Sequence, residues 1–212
     1  MKKIFTKENL KKFFNSYIWL MLILFVIDIV TKWVIVKYFG VDVISRENGV
    51  RHYDPEAITI IKNFCYIGGA INNKAAFSLG PNRVILLLIS VIMSGAFIAY
   101  YAKEFKKMSK VTKIALAIMI AGAVGNLIDR AFYWPSTTGF DGVVDWILFV
   151  FWGHEFAMFN IADSCLVIGI IILIVELIID EVKSTIEKGR KGEYKYSPEE
   201  LEKKKNEGNK SN

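Results

Sequence analysis

The stretch Phe156–Ile179, FAMFNIADSCLVIGIIILIVELII, decides the architecture. It is apolar over about the 20 helical residues needed to cross roughly 30 Å of hydrocarbon, yet it carries Asp163 near its start. Three more runs have the same character: Tyr17 to Phe39, Val84 to Ala102, and Val111 to Ile128, the last being the shortest and most interrupted. The whole chain agrees with them. Its 212 residues are 53% hydrophobic and 14% aromatic, with a mean hydropathy of +0.35, which is too apolar for an ordinary soluble domain. The expected fold is an all-α membrane protein: a four-helix transmembrane bundle in one domain, residues 1–182, followed by a charged tail, 183–212. The first run is longer than the apolar region of a secretory signal peptide and lacks a small-residue cleavage site, so it is read as a span.

Charge sets the expected orientation. Lys2, Lys3, Lys7, Lys11 and Lys12 precede span one, Lys103, Lys106, Lys107, Lys110 and Lys113 lie around the short connection between spans two and three, and the tail is rich in Lys and Arg. With four spans these segments share a side, which the positive-inside rule makes the cytoplasm. Both termini then lie on the cytoplasmic side of the cell membrane. The segments from about 40 to 83 and from about 129 to 155 lie outside. The net charge of +6 is therefore a topology signal, and without a basic patch interleaved with stacking aromatics it does not suggest nucleic-acid binding.

Ionisable residues at membrane depth are costly, and they are kept when paired, solvated or functional. Asp163 is one such residue, and Asp145, in GVVDWI just before the fourth run, is another. In span one Asp28 and Lys32 are four apart and share a helical face, a spacing that suits a charge-neutralising structural pair. Span three reads IAGAVGNLIDR. Ala121 and Gly125 have the small-xxx-small spacing that lets helices approach closely, and Asn126, Asp129 and Arg130 follow on one face at its outer end. That trio suits either a network pinning helix to loop or a contact of Arg130 with substrate.

The outer segment before span two ends in FCYIGGAINN, whose β-like composition suggests a small sheet on the membrane surface, bent or bulged at Gly68 and Gly69. Asn72 or Asn73 could bond an extended peptide backbone or simply form a turn. The later outer segment, with Trp134, Trp146, Phe149, Phe151 and Trp152, reads as a membrane-surface loop. Asn160 and Asp163 open span four on one face.

Two nearby carboxylates have a chemistry of their own. They cannot both ionise easily, so they share a proton, and one can take a proton from water while the other protonates or polarises a scissile carbonyl. No Ser-His-Asp, Cys-His, HExxH or Gly-rich phosphate motif competes for the role. Two cysteines, Cys65 and Cys165, and two histidines suggest neither a disulfide framework nor a metal site, and no cofactor is expected. A small ion-coupled transporter, with Asp28, Lys32, Asp129 and Asp163 as a charge relay, is the competing reading.

NNKAAFS (Asn72 to Ser78), GNLIDR (Gly125 to Arg130), VVDWI (Val143 to Ile147) and FNIADS (Phe159 to Ser164), together with Asp28 and Lys32, resemble the lipoprotein signal peptidases, or signal peptidase II. The resemblance runs in order from span one to span four. It implies an aspartic endopeptidase of the bacterial cytoplasmic membrane that removes signal peptides from diacylglyceryl-modified prolipoproteins just before the lipidated cysteine. By the same resemblance Asp145 and Asp163 are the catalytic dyad. Asn72, Gly122, Asn126, Asp129, Arg130, Asn160 and Ala162 line or support the site, and Asp28 and Lys32 form its polar pair in the first helix. The outer β segment becomes an extracytoplasmic cradle for substrate, in contact with membrane lipids, and the pocket a target for globomycin-type inhibitors. The chain departs from the family in having Lys74 where Gly is usual and in a longer outer segment before Asn72.

Overall fold

A computed structural model of the chain describes residues 6–39, 42–43, 58–72, 83–132 and 142–190. Its units, Met1–Ile171 and Ile172–Asn212, divide within the last helix. The basic N-terminal flank is itself a helix, α1 (Lys7–Asn15), whose start is capped by Thr6: its hydroxyl accepts the Asn9 N–H at 3.2 Å. The chain breaks at Tyr17, in the left-handed region at φ 55°, and enters α2 (Ile18–Tyr38). Tyr101 of α3 (Arg83–Glu104) donates its hydroxyl proton to the Ser16 carbonyl at 2.6 Å, which ties this corner to the far end of α3.

A short turn then leads into α4 (Lys110–Ala131), and α5 (Ile161–Arg190) completes the four helices that, among the described residues, are long and apolar enough to cross a membrane. Span four therefore starts at Ile161 rather than Phe156. The residues before it run extended, because the Phe156 N–H donates to the Phe149 carbonyl at 2.8 Å and Phe159 exchanges bonds with Ile147. Of the expected charged tail, residues 183–190 are helical and the remainder lies outside the described residues.

Lipid tails are as apolar as leucine, so helices here associate through close packing and polar contacts rather than by hiding hydrophobic faces. Burial follows that logic. In α2 only Asp28, Lys32 and Ile35 are buried, a stripe one face wide, while Leu22, Val26, Val30 and Trp33 point outward. The central helix is α4, of whose apolar window 56% is buried against 17% for each of the other three. Small residues make that possible. A Cβ at Gly122 would run into the Ala162 carbonyl of α5, and one at Gly125 would come within 2.5 Å of Asp28 Oδ2. Gly122 and Gly125, with Gly169 of α5 against Met119, thus make the close approaches, beside the Ala121 of the sequence spacing, which is also buried.

Among the described residues a five-stranded sheet joins β1 (Asp42–Val43), β2 (Ile58–Ile61), β3 (Cys65–Asn72), β4 (Val143–Phe151) and β5 (His154–Glu155). At its centre β3 pairs parallel with β1 and antiparallel with β2 and β4. Ile67 faces Ile147 and Ala70 faces Asp145, so β3 carries one residue more than β4 between those pairs. That is the bulge the two glycines suggested. The later outer segment is only partly a loop: β-branched and aromatic residues from Val143 on form β4, which turns into β5 through Trp152 and Gly153 at φ 50° and 78°. Ile35 of α2, Ile71 of β3 and Val144 of β4 form a core under the sheet, with Trp146 packed against it. Trp146 thus serves the sheet's own packing. Trp134, Asn73 and Lys74 lie outside the described residues.

Candidate active site

The sheet, the C-terminal ends of α2 and α4 and the first turn of α5 meet at one end of the bundle, and the polar residues are buried there. Asp145 reaches the site from β4, and only 2% of it is exposed. Asn72, on the neighbouring strand, donates to its Oδ2 at 3.0 Å, and Asn160 Nδ2 donates to its Oδ1 at 2.8 Å. Burial and, after it, the charge of Asp163 push the Asp145 carboxyl up to about 8, against the opposite pull of Asn72, Lys32 and Asn160. At neutral pH this carboxyl therefore keeps its proton.

Asp163 is placed by helix capping. The Asn160 side-chain carbonyl accepts the Asp163 N–H at 2.9 Å, and the Asp163 Oδ2 accepts the Asn160 N–H at 3.2 Å. This reciprocal pair is a capping box, which fixes both the start of α5 and the carboxylate. Asn126 of α4 holds the other oxygen, donating from Nδ2 to Asp163 Oδ1 at 2.7 Å. Asn160 thus bridges the two aspartates. Its side chain holds one and its backbone N–H the other.

The chain matches the family model described as signal peptidase (SPase) II over residues 20–179, a range that runs from within α2 to within α5 and takes in α3, α4, the sheet and both aspartates. The chain belongs to the signal peptidase II family. It is a multi-pass membrane lipoprotein signal peptidase. Two solved bacterial membrane enzymes, both determined by the in meso method, are similar to it: one is 28% identical, with 78% of this chain and 89% of that one covered at a TM-score of 0.60. The other is 27% identical, with 76% and 92% covered at a TM-score of 0.57.

Beneath the signal peptidase's two aspartates lies a buried ionic cluster. Lys32 Nζ stands 2.7 Å from Asp28 Oδ2, 2.8 Å from Asp129 Oδ2 and 3.2 Å from Asn126 Oδ1. The i,i+4 pair read from the sequence is therefore part of a larger group. Asp129 pairs with Lys32 across helices rather than with its neighbour Arg130, because successive side chains on a helix point in different directions. Arg130 donates instead to Ser90 Oγ of α3 at 3.1 Å, and that hydroxyl donates to the Leu86 carbonyl at 2.9 Å.

The residues named from the sequence thus converge on one end of the peptidase. Gly122 and Ala162 belong to it through packing: Ala162 is fully buried beneath the α4 glycines, where a larger side chain would not fit. The sequence reading missed Ser90, a lone hydroxyl in an otherwise apolar span. It also missed the capping role of Asn160, although an Asn followed three residues later by an acid at the start of an apolar run is a legible cap.

Proposed function

We propose that this signal peptidase is an aspartic endopeptidase that removes the signal peptide from diacylglyceryl-modified bacterial prolipoproteins, cutting just before the lipidated cysteine, with Asp145 and Asp163 as its catalytic dyad. The observation that carries the reading is the pair itself: two carboxyl groups from different elements, each held by two N–H donors, of which the more buried is pushed up to about 8. Such a pair holds one proton at neutral pH and titrates as a unit. The ionised member takes a proton from water as the oxygen attacks the scissile carbonyl. The protonated member gives its proton to the developing oxyanion, and the tetrahedral intermediate collapses with proton transfer to the leaving amine. Donors prepaid by folding hold both carboxyls in place during these steps.

The substrate's own shape fits this location. A prolipoprotein signal helix lies in the bilayer and its lipidated cysteine at the outer surface, so a site at a bundle end beneath a sheet receives the cleavage point when the helix enters sideways from the lipid. Asn72, at the end of β3, offers an amide to an extended backbone, and Arg130 is a nearby cation besides the buried Lys32. Globomycin-type inhibitors would occupy the same place. Asp145→Asn and Asp163→Asn should each abolish cleavage of a diacylated precursor in detergent while leaving expression and insertion intact. An unlipidated precursor should resist the parent enzyme, and a chelator should leave the rate unchanged. Normal turnover by either variant would remove the dyad.

A further inference from the structure

We infer that Lys32 is a positioning residue for both aspartates, acting as the hub of a two-armed clamp; the inference rests on the dyad proposed above. Its ammonium group has three protons and three acceptors around it: Asp28, Asp129 and Asn126. Each partner passes the constraint to a different point of the site. Asp28 uses its second oxygen, Oδ1, to accept the N–H of Ala162 at 2.9 Å, and Ala162 immediately precedes Asp163. Asp129 accepts the N–H of Val144 at 3.3 Å, and Val144 immediately precedes Asp145. One cation in α2 therefore grips, through one carboxylate in its own helix and one in α4, the backbone just before each catalytic side chain.

Beside the two arms, the third acceptor of Lys32 is an amide. Asn126 Oδ1 accepts from Lys32 and from Asn160 Nδ2 at 3.2 Å, and Asn126 Nδ2 faces Asp163 Oδ1. Turning that amide over would place its NH2 against two donors and its carbonyl against a carboxylate, so the Lys32 proton helps decide which way it points. Lys32 itself is fully buried and touches neither Asp145 nor Asp163 within the hydrogen bonds above. Beyond the pull of its charge on the Asp145 proton, its effect is on spacing and aim. A misplacement of about 1 Å originating away from the chemistry can cost on the order of 100-fold in rate, which is the scale to look for.

The test uses the full chain in detergent with a diacylated precursor, comparing Lys32→Met, the charge-balanced Asp28→Asn/Lys32→Met/Asp129→Asn, and Leu116→Ala, a packing control in the buried face of α4. Positioning predicts that in folded Lys32 variants kcat falls about 100-fold with KM within about threefold. The control should lose thermal stability and keep its kcat. A kcat within about twofold of the parent in either folded Lys32 variant would overturn the inference, and so would failure of both to fold, which would make Lys32 a residue of folding alone. Asp145→Asn and Asp163→Asn run alongside. If they retain cleavage the dyad fails, whereas if only the Lys32 variants retain it the dyad stands and the clamp fails.

Discussion

At the scale of single residues the site works by setting donors against burial. Desolvation pushes the Asp145 proton affinity up and Asp163 pushes it further, while the amides of Asn72 and Asn160 favour the ionised form. With the carboxyl near 8, the shared proton is present at pH 7 and lost as pH rises through 8, so kcat/KM should fall on that alkaline limb. The sign of each neighbour's effect can be tested. Asn72→Ala removes a bond that lowers the Asp145 value, so the limb should move to higher pH by roughly half to one unit, the worth of one hydrogen bond of about 1 kcal/mol. A pH–rate profile checks it, and a limb that stays in place or moves downward would mean that Asn72 does not act on Asp145. The candidate aspartates were legible in the sequence because carboxylates are rare beside apolar spans. Their partners were less so, since the bonds from Asn72 to Asp145 and from Asn126 to Asp163 join residues 73 and 37 positions apart.

At the scale of elements, α4 carries the site because it has glycines where Asp28 of α2 and the first turn of α5 meet it. Gly122→Ala should destabilise the bundle by about 1–3 kcal/mol, as overpacking does, because the new methyl meets the Ala162 backbone carbonyl, which cannot rotate away. The same collision displaces the residue before Asp163, so activity should fall with stability. Gly95→Ala in α3 is the contrast. Nothing lies within 4 Å of its added Cβ, so relief of glycine's entropy should leave the protein unchanged or stabilise it by up to about 1 kcal/mol. Thermal melts of the two variants in one detergent check the pair, and equal losses would show that the α4 approach is not the tight one. The element boundaries divide along the same physical line. Spans could be read wherever hydropathy alone decides them, and the Gly68–Gly69 bulge from the glycines' lack of a side chain. The start of α5 could not be, since Phe156 and Phe159 are as apolar as the span but are held extended by backbone bonds to β4. Nor could α1, where a basic flank conceals a capped helix.

At the scale of the molecule, the two ends of the bundle differ in kind. One end has α1, the turn between α3 and α4, and the lysines of both. The other has the sheet, the aromatic hairpin and, among the described residues, every buried charged side chain. A charge relay through the membrane would spread ionisable groups along the bundle's depth, whereas gathering them under the sheet suits chemistry on a substrate that arrives at one surface. The orientation we propose from the lysines and the positive-inside rule has the α1 end in the cytoplasm and the sheet outside. Trp152 at the hairpin tip is 95% exposed and Lys107 lies in the turn at the opposite end. In a chain with Cys65 and Cys165 replaced by Ser, Trp152→Cys should react with a membrane-impermeant maleimide on intact cells, and Lys107→Cys only after the membrane is permeabilised. Cysteine labelling in the reverse pattern would place the aspartates on the cytoplasmic face, where a lipidated cysteine at the outer surface could not reach them.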